Sequence, residues 1–300
     1  MFIPRTMVPR FAVPAFTLIA LTSPSLAAQD LDPATVAERL RAGLYEAGIS
    51  GDPEALARME TLARRAATAF PDDALVNHYL GYALYRLAGP AMEADADGAL
   101  AILAEAQSFL ERSIEVEPIP ESHALLSSVL GMQIVSEADA MTLGMQSGVE
   151  MGRARALGPQ NPRVRLLEGI AAFHTPEMWG GGHRAALGHF QAAIELFADD
   201  APETPLPAWG HAEAYAWLGQ AYAAMGKVDE AREAYERALE EEPGYDWVRS
   251  LQGDGPRGAT RQNLRSIPTV RPTSFASMLD RTMTPTSSKG VVHSSRPYTE

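Results

Sequence analysis

Between Ala212 and Tyr245 the chain reads AEAYAWLGQAYAAMGKVDEAREAYERALEEEPGY, with apolar and small residues recurring every three or four positions. Tyr215, Leu218, Gly219 and Tyr222 mark one stripe, and Ala231, Tyr235 and Ala238 a second. Each stripe predicts an amphipathic helix. Met225-Gly226-Lys227 supplies the turn between them, with Gly226 suited to a left-handed cap, and Pro243 closes the unit. The smallest residues, Gly219 and Ala231, fall where the two helices would approach, while Tyr222 and Tyr235 would fill the layer between. One such hairpin cannot bury its own apolar faces, so it implies neighbours stacked beside it.

Looser copies precede it. A glycine recurs in the first helix of each expected pair, at Gly81, Gly131, Gly169 and Gly219, with separations of 50, 38 and 50 residues. Each earlier glycine is followed by a second periodic stretch. Ala106, Leu110 and Ser113 run to Pro118. Ser147, Met151 and Ala154 run to Pro159. Ala186, Phe190 and Ala193 run to Asp199-Asp200. The excess length is expected between the first and second helix of each pair. Pro33–Gly48 and Pro53–Ala69 read as a further pair, each with an Asp cap and Pro at the first helical position. The whole predicts an all-α solenoid of about ten helices.

The stretch 212–245 resembles one complete tetratricopeptide repeat (TPR), a unit of about 34 residues. That resemblance implies a right-handed TPR-type α-solenoid of antiparallel helix pairs over residues 28–250. It also implies that the first helices line a concave surface used to hold partners. Asn77, Arg163, Arg165 and His211 are the candidate partner-binding residues on that surface. The expected partner is a protein or peptide segment in the groove, with a small apolar ligand as the alternative.

Residues 1–27 carry Arg5 and Arg10, the apolar run Phe11–Leu21, then Ser25-Leu26-Ala27-Ala28. This order reads as a secretory signal peptide cut near Ala27 or Ala28, in a chain destined for the periplasm or the exterior. The run is short for a bilayer span, which needs about 20 residues, so no integral membrane span is expected after cleavage. Cysteine is absent, which removes thiolate catalysis and Cys-based zinc sites.

The net charge of −13 is uneven: with +2 in residues 1–27 and +4 in 251–300, residues 28–250 carry −19. So acidic a body repels nucleic acid and anionic membranes. Residues 251–300 are rich in Ser, Thr, Pro, Gly and Arg and lack sustained periodicity, which predicts a disordered tail. Trp247, Val248 and Leu251 are the residues that could begin a terminal cap.

Phe173-His174-Thr175-Pro176-Glu177-Met178-Trp179-Gly180-Gly181-Gly182-His183 precedes the predicted helix Arg184–Phe197. It is similar to a linker of exported bacterial TPR proteins, in which an aromatic residue and a Gly triplet join two helices. Together with the overall layout it is also faintly similar to the periplasmic T-component of TRAP transporters, which would imply a small-ligand carrier. Physically, the triplet permits positive φ and a flat loop, with Trp179 expected against the hairpin. The other reading is an anion seat at the helix start beside His183 and Arg184. No Gly-Lys-Ser/Thr pattern supports a phosphate loop.

Catalysis has no motif behind it. The seven histidines form no His-Glu-x-x-His pattern and no Gly-x-Ser-x-Gly elbow occurs. No catalytic, cofactor-binding or metal residues are nominated, and a non-enzyme is expected. Tyr79, Tyr82 and Tyr85, and Met141, Met145 and Met151, are assigned to core packing, with an adaptable apolar groove as the alternative.

Overall fold

A computed structural model describes residues 32–252, and all structural statements below concern these residues. Eleven α-helices and one short 3₁₀ turn follow one another. They are α1 (Pro33–Ser50), α2 (Pro53–Ala69), α3 (Ala74–Ala94), α4 (Ala96–Val116), α5 (Pro120–Met132) and α6 (Glu137–Leu157). There follow α7 (Pro162–His174), α8 (His183–Phe197), α9 (His211–Ala224), α10 (Val228–Glu241) and α11 (Asp246–Gln252). The signal-peptide and most of the tail expectations fall on residues 1–31 and 253–300, outside the described residues. Among the described residues, no helix is long and apolar enough to cross a membrane.

The caps follow from the sequence. The Asp32 carboxylate accepts from the Thr35 N–H at 2.9 Å and Asp52 from the Glu54 N–H at 2.9 Å, ahead of Pro33 and Pro53. Asp73, Asp95 and Ser136 cap α3, α4 and α6 in the same way, and Asn161 caps α7. Each satisfies an N–H that the first helical turn cannot.

Helices pair as α3 with α4, α5 with α6, α7 with α8 and α9 with α10. The small-large-small triads predicted for the second helices are the packing surface. Ala106, Leu110 and Ser113 are buried, as are Ala186, Phe190 and Ala193, and Ala231, Tyr235 and Ala238. A Cβ on Gly219 would collide with the Tyr235 ring, one on Gly169 with Phe190, and one on Gly81 with Leu110. These three glycines are the points where paired helices cross most closely.

Gly131 is not such a point: it is exposed, and a Cβ there would meet nothing within 4 Å. In α5 the crossing position is Ser127, whose hydroxyl lies 2.9 Å from the Ser147 hydroxyl of α6. A serine is small enough for the close approach, so the recurring Leu-Gly dipeptide misplaced the second unit by one helical turn. Part of the excess length lies inside pairs as expected, in the connection 175–182 between α7 and α8 and at the junction of α3 and α4, and part lies elsewhere. It extends α3, α4 and α6 to 21 residues each, and it forms the long connection Ala198–Gly210 between pairs rather than within one.

The first and last elements meet. Gly51 at the end of α1 lies against Asp246, the Tyr45 hydroxyl bonds Glu242, and Ile49 packs into the cluster of Tyr245 and Val248. The expected terminal cap is α11, and it closes the row of helices onto α1.

Candidate functional site

The surface that first helices present inward is already covered by the chain itself. Ala198–Gly210 (ADDAPETPLPAWG) contains Pro202, Pro205 and Pro207, which fix φ and bias the preceding residues away from helix. It runs across α7, α3 and α1. Arg163 of α7 donates from both terminal nitrogens to the Asp200 carboxylate at 2.7 and 2.8 Å. The Tyr79 hydroxyl of α3 donates to the Pro205 carbonyl at 2.5 Å, and Arg41 of α1 donates to the Thr204 hydroxyl at 2.8 Å. Tyr82 and Trp209 stack with ring centroids 4.9 Å apart and planes at 11°. Pro207, Trp209 and Gly210 are buried.

Arg163 anchors this arrangement. It is 2% exposed and also donates from Nε to Glu121 at 3.0 Å and, more weakly, from Nη1 to the Trp209 carbonyl at 3.4 Å. Burial disfavours its charge, yet the hydrogen bonds it gives to Asp200 and the Glu121 charge outweigh that, so its pKa moves up. The Phe197 ring lies 5.7 Å from its guanidinium carbon. A buried cation is tolerable only with such pairing.

The four nominated partner residues do not converge. Asn77 is fully buried, and its amide donates to the Pro71 and Asp73 carbonyls at 2.8 and 2.7 Å, locking the start of α3. Asn77 and Arg163 therefore serve their own chain. Arg165 is one-third exposed and donates to Glu168 at 2.9 Å, a carboxylate that also lies 3.3 Å from Arg155 and 3.6 Å from His189. Burial raises the pKa of Glu168, but the His189 hydrogen bond and the Arg165 charge more than offset this and lower it overall. His211 lies 3.1 Å from Glu241 on α10. The residues that hold Ala198–Gly210, namely Tyr79, Tyr82, Asp200 and Trp209, were not nominated. Their signal was a Pro-rich run carrying a single Trp between two helices.

Buried polar chemistry elsewhere stays sealed. His78 Nδ1 lies 2.9 Å from the Ser122 hydroxyl, itself 2.9 Å from that of Ser113, and all three side chains are fully buried. Burial, with the nearby Arg163 charge, pushes the His78 pKa down to about 3. A substrate cannot reach this row. Burial, with the neighbouring His183, likewise pushes His174 down to about 4. The Phe173, His174 and Trp217 rings pack edge to face beside it.

At the glycine triplet, Gly180 and Gly182 have φ of 85° and 95°, and a Cβ on Gly181 would strike Thr175. The flat loop is thus a backbone requirement. The Glu177 side chain lies against Gly182 at the start of α8, which places a negative charge close to the helix start where an anion seat was expected. Trp179 does not tuck into the hairpin: it is 66% exposed, next to Met178.

One small cleft, lined by Tyr45, Tyr82, Arg86, Trp209, Glu213 and Tyr245, has a volume of about 20 Å³, room for a water. The other, about 430 Å³, is an open cleft lined by Gln160, Glu195, Asp199 and Asp200.

These features define a helical-repeat protein whose inner face is filled by its own inter-repeat segment. Comparison with known proteins agrees on the architecture. Residues 212–245 match the tetratricopeptide repeat family. A thermophilic TPR protein of Thermus thermophilus, TTC0263, superposes with a TM-score of 0.52 at 19% identity, over 72% of this chain and 95% of that one. The HusA haemophore of Porphyromonas gingivalis superposes with a TM-score of 0.53 at 22% identity, over 65% of this chain and 96% of that one. A comparison with curated proteins finds no match. The chain carries a tetratricopeptide repeat, and its fold is that of a TPR-type α-solenoid.

Proposed function

We propose that this protein is an exported, non-catalytic TPR scaffold that recognises an extended, acidic and aromatic polypeptide segment on the inner face of α3 and α7. Solenoids of this type bind along their concave surface. The observation that carries the reading is how that surface holds Ala198–Gly210. Hydroxyl to carbonyl, guanidinium to carboxylate and ring on ring are the contacts by which peptides are recognised. A partner presenting a carboxylate to Arg163 and an aromatic ring to Tyr82 competes for the contacts now made by Asp200 and Trp209. The absence of any catalytic motif supports a non-enzymatic role, and Arg5, Arg10 and Phe11–Leu21 support export to the periplasm or the exterior.

The test uses a fluorescent peptide of sequence ADDAPETPLPAWG. A variant with Asp200→Ala and Trp209→Ala, shown by circular dichroism to stay helical, should bind it, while the unaltered protein should bind it at least tenfold more weakly. Equal failure of both proteins to bind would refute recognition on this face.

A small-ligand carrier is the second reading, supported by the fold shared with a haemophore. Ligand sites of drug size are mostly apolar and enclosed, with volumes of about 300–1,000 Å³. The cleft beside Tyr82 and Trp209 is an order of magnitude smaller, and the cleft beside Asp199 and Asp200 is open and acidic. Native mass spectrometry of protein from cells distinguishes the two, since a carrier retains its ligand.

A further inference from the structure

The second helix of the second pair, α6, has an outer face unlike that of α10. Only Met151 and Ala154 of its 21 residues are buried. It packs on α5, with a minor contact to α7. Ala138, Met141, Thr142, Met145, Gly148, Val149 and Ala156 are exposed along one stripe, and none is charged. Met141 and Met145 are 74% and 71% exposed, which corrects their assignment to the core. The matching face of α10 instead exposes Asp229, Glu230, Arg232, Glu233, Glu236, Arg237 and Glu240. The α6 stripe runs about 28 Å at 1.5 Å per residue. An apolar patch of this kind marks an interaction surface.

We infer that this face pairs with the same face of a second copy, the two α6 helices running antiparallel about a two-fold axis. Arg153, paired with Glu150 at 2.6 Å, borders one edge of the stripe, and the charges on the other edge identify the occupant. Glu137 and Arg155 are 18 residues apart, which is five full helical turns, so both lie on the same edge of the stripe. A two-fold axis perpendicular to both helices brings that edge against itself in reverse order. Glu137 of each copy then faces Arg155 of the other, and an isologous interface is satisfied on both sides by one pair of residues. Arg155 is ion-paired through Nη1 with Glu168 at 3.3 Å, but its side chain is 54% exposed, which leaves its other guanidinium N–H groups accessible to Glu137 of the second copy. The helix dipoles are also opposed in this arrangement.

The same axis lies level with position 146, so it passes about 1.5 Å from the level of each Met145 and sets Met141 of each copy within about 1.5 Å of the level of Gly152 of the other. A Cβ at Gly148 or Gly152 would meet nothing within 4 Å, so both positions leave room for a facing Met. Residues 28–250 carry −19, which opposes association between copies over most of the surface. The uncharged stripe with self-complementary ends is the exception.

Sedimentation velocity over a concentration series tests the pairing, on the protein as purified from producing cells. The unaltered protein should sediment as a dimer, and Met145→Glu should raise the dissociation constant at least a hundredfold with the circular dichroism unchanged. Glu137→Arg alone and Arg155→Glu alone should each weaken the dimer tenfold or more, and the double exchange should restore it. A monomer at every concentration overturns the proposal, including one whose Met145→Cys thiol is shielded by residues 253–300. So does a dimer indifferent to Met145→Glu. Failure of the double exchange to restore association overturns the antiparallel register.

Discussion

The inner face of α3 and α7 and the outer face of α6 meet the same constraint in opposite ways. Each is one side of a helix pair that its partner helix cannot cover. On the inner face the chain covers it with its own Ala198–Gly210, held by Arg163, Tyr79 and Tyr82. On α6 nothing within the chain's described residues covers Met141, Met145 and Val149. The first face is polar and specific: its buried cation requires two particular carboxylates. The second is apolar and adaptable, with flexible Met side chains beside bare glycines. Substitutions should therefore be felt as lost stability on the inner face and as altered association on α6.

The largest effect is expected at Arg163. Its removal leaves Glu121 and Asp200 as poorly compensated carboxylates, a loss that typically costs about 3–5 kcal/mol. Urea denaturation of Arg163→Ala should show this, whereas Met145→Ala should move stability by no more than about 0.5 kcal/mol under monomeric conditions. Comparable losses at the two positions would dissolve the contrast.

Acid should also act through the sheltered histidines. The His78 and His174 pKa values stand at about 3 and about 4 in the fold, below the ordinary 6.5. The unfolded chain therefore binds more protons below pH 6.5, so the stabilisation is complete above that pH and is lost as pH falls. Between pH 6.5 and pH 5 each histidine should remove about 2 kcal/mol. Denaturation midpoints across this range should fall more gently in His78→Gln than in the unaltered protein. Parallel slopes would mean that His78 is not sealed.

Glycines sharpen the comparison further. Gly219→Leu should force overpacking against Tyr235 at a cost of about 1–3 kcal/mol. The smallest effect has the opposite sign. Gly148→Ala in α6 should stabilise the chain by about 0.5–1 kcal/mol, because the position is helical and open and Ala is the better helix former. Thermal melts of the two variants should move in opposite directions.

The helix pairs were legible in the sequence because their signals are local. Asp32, Asp52 and Asn161 announce helix starts, and each small-large-small triad repeats at helical spacing. The closeness of α5 and α6 was misassigned to Gly131 because a glycine is conspicuous, while Ser127 performs the same steric role with a less distinctive side chain. Ala198–Gly210 reads as a linker, since its proline content forbids helix, and no local rule states that a linker returns to Arg163 and Tyr79. That pairing depends on how far the solenoid curves. The exposure of Met141 and Met145 was hidden for a similar reason. Their spacing is that of a buried stripe, and only the three-dimensional arrangement shows that no neighbour arrives.

The account rests on the docking of the chain's own segment into the inner face, and a double-mutant cycle between Arg163 and Asp200 measures it most directly. Stability is determined for the unaltered protein, Arg163→Met, Asp200→Asn and the double variant. A coupling energy of about 1.5–3 kcal/mol is predicted, the range for a hydrogen-bonded charged pair in a sheltered site. A coupling indistinguishable from zero would show that Ala198–Gly210 does not occupy the face at all.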